Sequence, residues 1–224
     1  MVQAADTYFS SIAEEYDELA RRGMPRREEM LAEVERVLPL EASDVLELGC
    51  GTGALTALLA QRYPDAKITA VDAAPAMITI ARDRVNGAAR LLTFRIARFE
   101  DLALPRESFD VIASNMALHH VRHKAPFYAR LRAALRPSRA LVFGDELAGD
   151  APYVQQLFWD AWVDFARRPG GLTEQEIAGI IEHMERFDHY ETLPRQLEML
   201  REAGFASVDC TWRYLNYGVF VAVA

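Results

Sequence analysis

Only two cysteines occur in the chain, Cys50 and Cys210, which excludes a disulfide framework and a zinc cluster built on thiols alone. Reduced thiols fit such usage best. Lysine is nearly absent: of 25 basic residues 23 are Arg, leaving Lys67 and Lys124. Acidic residues number 33, so the formal net charge is -8. That balance argues against a broad phosphate-binding face and hence against duplex nucleic acid as a partner, though a local patch for RNA stays compatible with it. No apolar run approaches the ~18–20 residues of a membrane span, so no membrane partner is expected. The opening residues, 1–6, lack a basic stretch followed by an apolar one. A secretory leader is therefore not expected, and a cytoplasmic location is. There is no internal repeat, no low-complexity stretch and no Gly/Ser linker. A single domain over residues 1–224 follows, with a hydrophobic share of 51% typical of a globular fold.

What is present is an alternation of helix and strand. Tyr8, Ile12, Tyr16 and Leu19 are spaced as one helix over residues 4–20, broken by Gly23-Met24-Pro25. A second helix is expected over 26–37. The period then changes, and short apolar runs at 45–48, 67–71, 91–96, 109–113 and 140–144 read as buried strands. Between them lie helices at 54–62, 76–85 and 125–135, so right-handed crossovers should build a parallel sheet. After a helix at 193–203, residues 208–215 and 218–223 are β-rich and joined only by Asn216-Tyr217, which demands an antiparallel pair. The expected fold class is α/β: a Rossmann-like mixed seven-stranded sheet with a C-terminal antiparallel hairpin. Residues 1–40 supply lid helices, and about 150–192 form a helical cap insertion. In that insertion Val154, Phe158, Trp162 and Phe165 follow helical spacing, and Thr173-Glu174-Gln175-Glu176 is a capping box. Such an insertion lies over the C-terminal edge of the sheet, where open α/β folds bind ligands.

The most informative motif is Glu47-Leu48-Gly49-Cys50-Gly51-Thr52-Gly53, a glycine-rich turn between a buried strand and a helix. Asp72 ends the next strand, 19 residues after Gly53, where a carboxylate can accept both hydroxyls of a ribose. Together these point to an adenosine-containing cofactor. Gly49, Gly51 and Ala54 satisfy the dinucleotide fingerprint G-x-G-x-x-G/A. Glu47, Gly49, Gly51 and Gly53 equally satisfy the S-adenosylmethionine version, an acid followed by G-x-G-x-G. Local spacing does not separate the two.

The segments 45–53, 70–77, 109–121 and 135–143 together resemble the class I S-adenosylmethionine-dependent methyltransferases. The resemblance runs from about Tyr8 to the C-terminus and implies S-adenosyl-L-methionine as cofactor and a small-molecule acceptor. By it, Gly49, Gly51 and Gly53 line the methionine part with Glu47 and Cys50 of the same loop. Asp72 holds the ribose, Ala73 and Met77 pack near the adenine, and Asn115 meets the cofactor's amino group through its backbone. The family's usual small-residue pair with Asp after the third strand is replaced by Arg98-Phe99, leaving the Phe99 amide and an acceptor at Glu100 or Asp101 as the adenine contacts. Residues 157–167 and 200–223, with Ala203-Gly204-Phe205, look like a subgroup that includes relatives of the carboxy-S-adenosylmethionine synthases of tRNA wobble-uridine modification. Those synthases grip the extra carboxylate with an arginine in the helix before that turn. Here Met199 occupies the position, with Arg195 and Arg201 on other faces.

A methyl sulfonium is already activated, so in-line placement of a nucleophile is the main task, with a general base for some acceptors. His119 and His120, just after the fourth strand, are the catalytic candidates. His123, His183 and His189 read as surface residues. Tyr8, Phe9 and Tyr16 read equally as a lid over the cofactor, Tyr16 among its contacts, or as a core stripe. Trp159 falls off its helix stripe and is a candidate for the substrate cavity, while Arg21 and Arg22 read as solvated. No metal site is expected: acids at Asp145 and Glu146 lack an acidic partner at Ser114-Asn115. The competing readings are carboxy-S-adenosylmethionine formation, a nicotinamide oxidoreductase and a non-catalytic cofactor-binding protein. A homodimer through the inserted helices is a further expectation.

Overall fold

The computed structural model describes residues 5–87 and 90–224. Where the hydrophobic period shortens, at β1 (Asp44–Leu48), the backbone enters the middle of a seven-stranded sheet. The other strands are β2 (Lys67–Asp72), β3 (Leu91–Ile96), β4 (Phe109–Asn115), β5 (Leu135–Glu146), β6 (Ser207–Tyr214) and β7 (Tyr217–Val223). Their order is β3-β2-β1-β4-β5-β7-β6. The first five run parallel, and β7 inserts antiparallel between β5 and β6. β1 and β4 are buried along nearly their whole length because helices cover both faces of the sheet.

On one face α3 (Arg27–Val37) and α4 (Ala54–Arg62) bury Met30, Val34, Leu55 and Leu59 against β1 and β5. On the other, α6 (Lys124–Ala134) and α9 (Leu193–Glu202) bury Phe127, Leu131, Met199 and Leu200. Phe143 of β5 stands opposite Phe220 of β7, with rings stacked at 4.8 Å. Such a pair adds about 0.5–1.5 kcal/mol beyond its buried area. Between β2 and β3, α5 (Pro75–Arg84) begins with a proline at its first turn.

Three boundaries differ from expectation. The helix read over 4–20, whose first residue Ala4 lies outside the described residues, is two helices: α1 (Ala5–Ser11) and α2 (Tyr16–Gly23). The Ser11 hydroxyl bonds back to the Tyr8 carbonyl at the break, and the intervening turn docks Ala13 against Ala74 and Met77. The fifth strand is longer than 140–144: β7 pairs with it on through Asp145 and Glu146, and Leu135 at its start pairs with Phe109 of β4. The hairpin turn is Leu215-Asn216 rather than Asn216-Tyr217, since Tyr217 pairs with both Tyr214 and Glu146. The insertion consists of α7 (Pro152–Ala166) and α8 (Glu174–Phe187), the latter opened by a complete Thr173/Glu176 capping box.

α7 and α8 do not stand alone over the sheet. Trp162 Nε1 donates to the Gly23 carbonyl at 3.0 Å. Arg22 donates to the Gly171 carbonyl and forms a two-oxygen ion pair with Glu176. Tyr8 stacks on His183 with ring centroids 4.2 Å apart. The N-terminal helices and the insertion therefore form one roof, and Arg22 is a tether within it rather than a solvated side chain.

Candidate active site

Beneath that roof, at the C-terminal edge of β1, β2, β4 and β5, lies a cavity of about 650 Å³. This is within the ~300–1,000 Å³ range of small-ligand pockets. Its floor begins with the glycine turn. Gly49 has φ +69, and a Cβ there would stand 2.2 Å from the Ala117 Cβ, so only glycine lets the β1 turn pass the β4 turn. The amides of Gly49 and Cys50 donate to the Val71 carbonyl, and the Gly51 amide donates to Asp72 Oδ2 at 2.8 Å. Asp72 Oδ1 accepts from the Ala74 amide at 2.9 Å. Each carboxylate oxygen keeps a lone pair for a further donor. Burial raises the Asp72 pKa against the pull of those amides.

Glu47, Gly49, Cys50, Gly51, Asp72, Ala73, Met77, Phe99, Glu100 and Asn115 all line this cavity, as do Tyr16, His119 and His120. Gly53 does not: it sits at the N-cap of α4, where its Cα faces the Ala81 backbone of α5 and a Cβ would approach to 3.0 Å. Its glycine serves the packing of the two helices. Tyr8 and Phe9 join the wall, and Phe9 and Tyr16 also pack on Met77, so lid and core are one surface here. Cys50 is buried, and burial pushes its thiol pKa up, which makes it unreactive. Trp159 packs within the cap cluster, and Trp162 lines the cavity in its place. Met199 is 3% exposed in the main core, and Arg195 is paired with Glu198 and Glu202 at the surface. Neither reaches the cavity, nor does Arg201.

Two features of the cavity suit a cationic cofactor. Glu47 is 1% exposed, and neither carboxylate oxygen has an aligned hydrogen-bond partner. Burial, opposed by Thr56 and reinforced by Asp72, pushes its pKa up to about 8. Asn115 Oδ1 is likewise buried without a partner. An ammonium group reaching this floor would satisfy such acceptors, whose desolvation is otherwise uncompensated.

The opposite end is polar in a different way. His119 follows β4 in a 3-10 turn, and its Nδ1 lies 2.6 Å from Asp145 Oδ1 at the end of β5. Burial disfavours its charge, but Asp145 and Asp188 outweigh that and hold its pKa up at about 9. A ring held charged is no proton acceptor at neutral pH. In His120, burial and the charge of His119 act together to lower the pKa, so this ring keeps its lone pair. His183 is not a surface residue: it is 8% exposed, and burial holds its pKa down at about 4. His189 is half-buried, and its amide donates to the His119 carbonyl. Asp188, at the end of α8, faces the three histidines, and its pKa is lowered by His119 and His120 against burial. Sequence reasoning passed over Asp188 because one Asp near a helix end carries no periodic or spacing signal. His183 was hidden because the residue it stacks on, Tyr8, is far away in the chain.

Comparison with known proteins agrees with this architecture. Residues 45–138 match the family described as Methyltransferase domain. The chain is 30% identical over 185 residues to the carboxy-S-adenosyl-L-methionine synthase of Pseudomonas putida, covering 79% of this chain and 74% of that protein. It is 34% identical over 139 residues to the malonyl-[acyl-carrier protein] O-methyltransferase of Acetivibrio thermocellus, covering 61% of this chain and 47% of that one. The fold matches the crystal structure of an S-adenosylmethionine dependent methyltransferase from Mesorhizobium loti with a TM-score of 0.63 at 20% identity, over 86% of this chain and 96% of the other. The chain belongs to the class I S-adenosylmethionine-dependent methyltransferases. Within them it is related to the carboxy-S-adenosyl-L-methionine synthases, and it is an enzyme that uses S-adenosyl-L-methionine. The ambiguity of the glycine turn is thereby resolved against a nicotinamide dinucleotide.

Proposed function

We propose that the enzyme transfers the methyl group of S-adenosyl-L-methionine to a small-molecule acceptor by in-line displacement, within one domain roofed by lid helices 1–40 and cap 150–192. The observation that carries this reading is that one cavity holds both a glycine-turn end ready for the cofactor and a histidine end away from it. The cofactor supplies a methyl already activated on sulfonium. Everything else is positioning by the chain's own side chains. Gly49 and Gly51 open the floor to the methionine part, and Glu47 and Asn115 accept from its amino group. Asp72 accepts from the ribose hydroxyls. Ala73, Met77, Phe99 and Glu100 flank the adenine, and Tyr16 closes over it. His119 and His120 touch the acceptor. The roof pinned by Trp162 and Arg22 favours a small acceptor over a polymer and keeps water from the reacting centre. Free thiols at Cys50 and Cys210 support a reducing, cytoplasmic setting.

Carboxy-S-adenosyl-L-methionine formation is the second reading, favoured by the names of the curated relatives. Against it stands the buried Met199 where a carboxylate-gripping arginine is expected. Mass spectrometry of ligand released from the purified protein separates the two. S-adenosylmethionine or its demethylated product supports methyl transfer, and a mass heavier by one carboxylate overturns it. Asp72→Ala is expected to weaken cofactor binding at least tenfold by calorimetry, about 1.4 kcal/mol. Unchanged affinity would reject the ribose contact.

A further inference from the structure

Four buried polar atoms at the histidine end lack an aligned hydrogen-bond partner: Nδ1 of His120, both ring nitrogens of His183 and Oδ1 of Asp188. Buried polar groups are rarely left unsatisfied, and a group of them facing one point calls for an ion or water between them. Asp188 Oδ1 is where His120 Nδ1 and one nitrogen of His183 come together; the other His183 nitrogen leaves the ring in a different direction. Asp188 Oδ1 lies 2.9 Å from His120 Nδ1, 3.7 Å from His183 Nε2 and 3.9 Å from His119 Nε2. The donor atoms of His119, His120 and Asp188 all lie within 4.8 Å of one another. Two donors on one ion at about 2.0–2.2 Å are at most about 4.4 Å apart, so each separation from Asp188 fits a shared ion.

The supporting groups fit as well. His119 Nδ1 meets Asp145, and that contact fixes the ring with Nε2 turned toward Asp188. A carboxylate behind a histidine is the usual outer partner of a metal ligand. The Tyr190 hydroxyl donates to the other oxygen of Asp188 at 2.5 Å, which orients that carboxylate. The expectation of no metal weighed Asp145 and Glu146 with residues after β4 as a magnesium set. The donors brought together here are different, and Asp145 stands behind one of them.

We propose that His119 Nε2, His120 Nδ1 and Asp188 Oδ1 form a binding site for a divalent transition-metal ion, His119 giving up its Nε2 proton as the ion binds. Imidazole with one carboxylate suits Zn²⁺, Fe²⁺, Co²⁺ or Ni²⁺ rather than Mg²⁺. All three residues line the cavity, so a four- to six-coordinate ion would keep a position open toward the acceptor. Resting on the methyl-transfer reading, that position assigns an acceptor bearing a hydroxyl, whose oxygen the ion holds and whose proton it makes easier to remove.

The test is titration of chelator-treated protein with Co²⁺, followed by its visible d–d absorption and by metal analysis after gel filtration. One Co²⁺ per chain is expected in the wild type. In Asp188→Ala and in His120→Ala, affinity should fall at least a hundredfold. Calorimetry with S-adenosylhomocysteine, whose expected contacts lie at the glycine turn, shows that each variant is folded. A wild-type chain that binds S-adenosylhomocysteine but no Co²⁺ overturns the metal site and leaves the proposed function standing. A chain that binds Co²⁺ but no S-adenosylhomocysteine does the reverse. Equal Co²⁺ affinity in the wild type and both variants also overturns the site.

Discussion

Glu47 places a buried carboxyl, with Thr56 beside it, beneath the glycine turn. Its folded pKa, about 8, lies above the ordinary 4.5, so the folded chain binds a proton there that the unfolded chain gives up. Its contribution to stability is therefore full below about pH 4.5 and is lost as the pH rises through about 8. Glu146, partly buried and also raised to about 8, acts in the same direction. The cofactor-free enzyme is expected to melt at lower temperature at about pH 9 than at about pH 6, and Glu47→Gln should flatten that slope. Calorimetric titration of the same variant should show S-adenosylhomocysteine binding at least tenfold weaker. A variant with wild-type affinity would remove Glu47 from the site. At Gly49 the constraint is steric. Gly49→Ala drives a methyl into Ala117 at a φ of +69, so a loss of about 1–3 kcal/mol in stability is expected in urea unfolding, together with loss of cofactor binding.

At the level of elements, the glycine-turn wall of the cavity and the existence of a lid and a cap were legible from the sequence, and the contacts that join lid to cap were not. The turn 47–53 and Asp72 follow local rules: a buried strand, a glycine that admits a crossing backbone, and a carboxylate at the next strand end. The spacing of Tyr8, Ile12, Tyr16 and Leu19 also obeys a local rule, yet the helix breaks because Ala13 docks on α5, a contact invisible to periodicity. Likewise the meeting of His183 and Asp188 with His119 depends on how α8 lies over β4. The roof is held by Arg22 and Glu176, and hydrogen bonding to Arg22 lowers the Glu176 pKa to about 2. Its stabilising effect is present above the unfolded value of 4.5 and disappears as the pH falls toward about 2. Arg22→Ala is expected to speed amide hydrogen exchange across α8 while leaving β1 and β4 protected. Unchanged exchange in α8 would show that the ion pair does not hold the roof.

For the whole molecule, the strand order β3-β2-β1-β4-β5-β7-β6 agrees with the alternation and the terminal hairpin read from the sequence. Among the described residues no helix is long and apolar enough to cross a membrane. Tyr153 and Leu157 remain 78% and 48% exposed on α7, where the inserted helices were expected to pair two chains. Sedimentation of the wild type is expected to show a dimer that Leu157→Glu dissociates. A monomeric wild type would end that expectation.

The roof has one more consequence, and it concerns descent rather than chemistry. Most of the glycine-turn wall comes from a continuous stretch of β1, α4 and β2, whereas the wall facing the acceptor borrows α1, α2 and α8 from outside the parallel strands. Changes that accumulate in those borrowed helices leave the nucleotide floor and the sheet register untouched. Such a lineage can drift from one acceptor to another while its donor half stands still, and kinship measured across residues 45–138 will then track the donor and not the product.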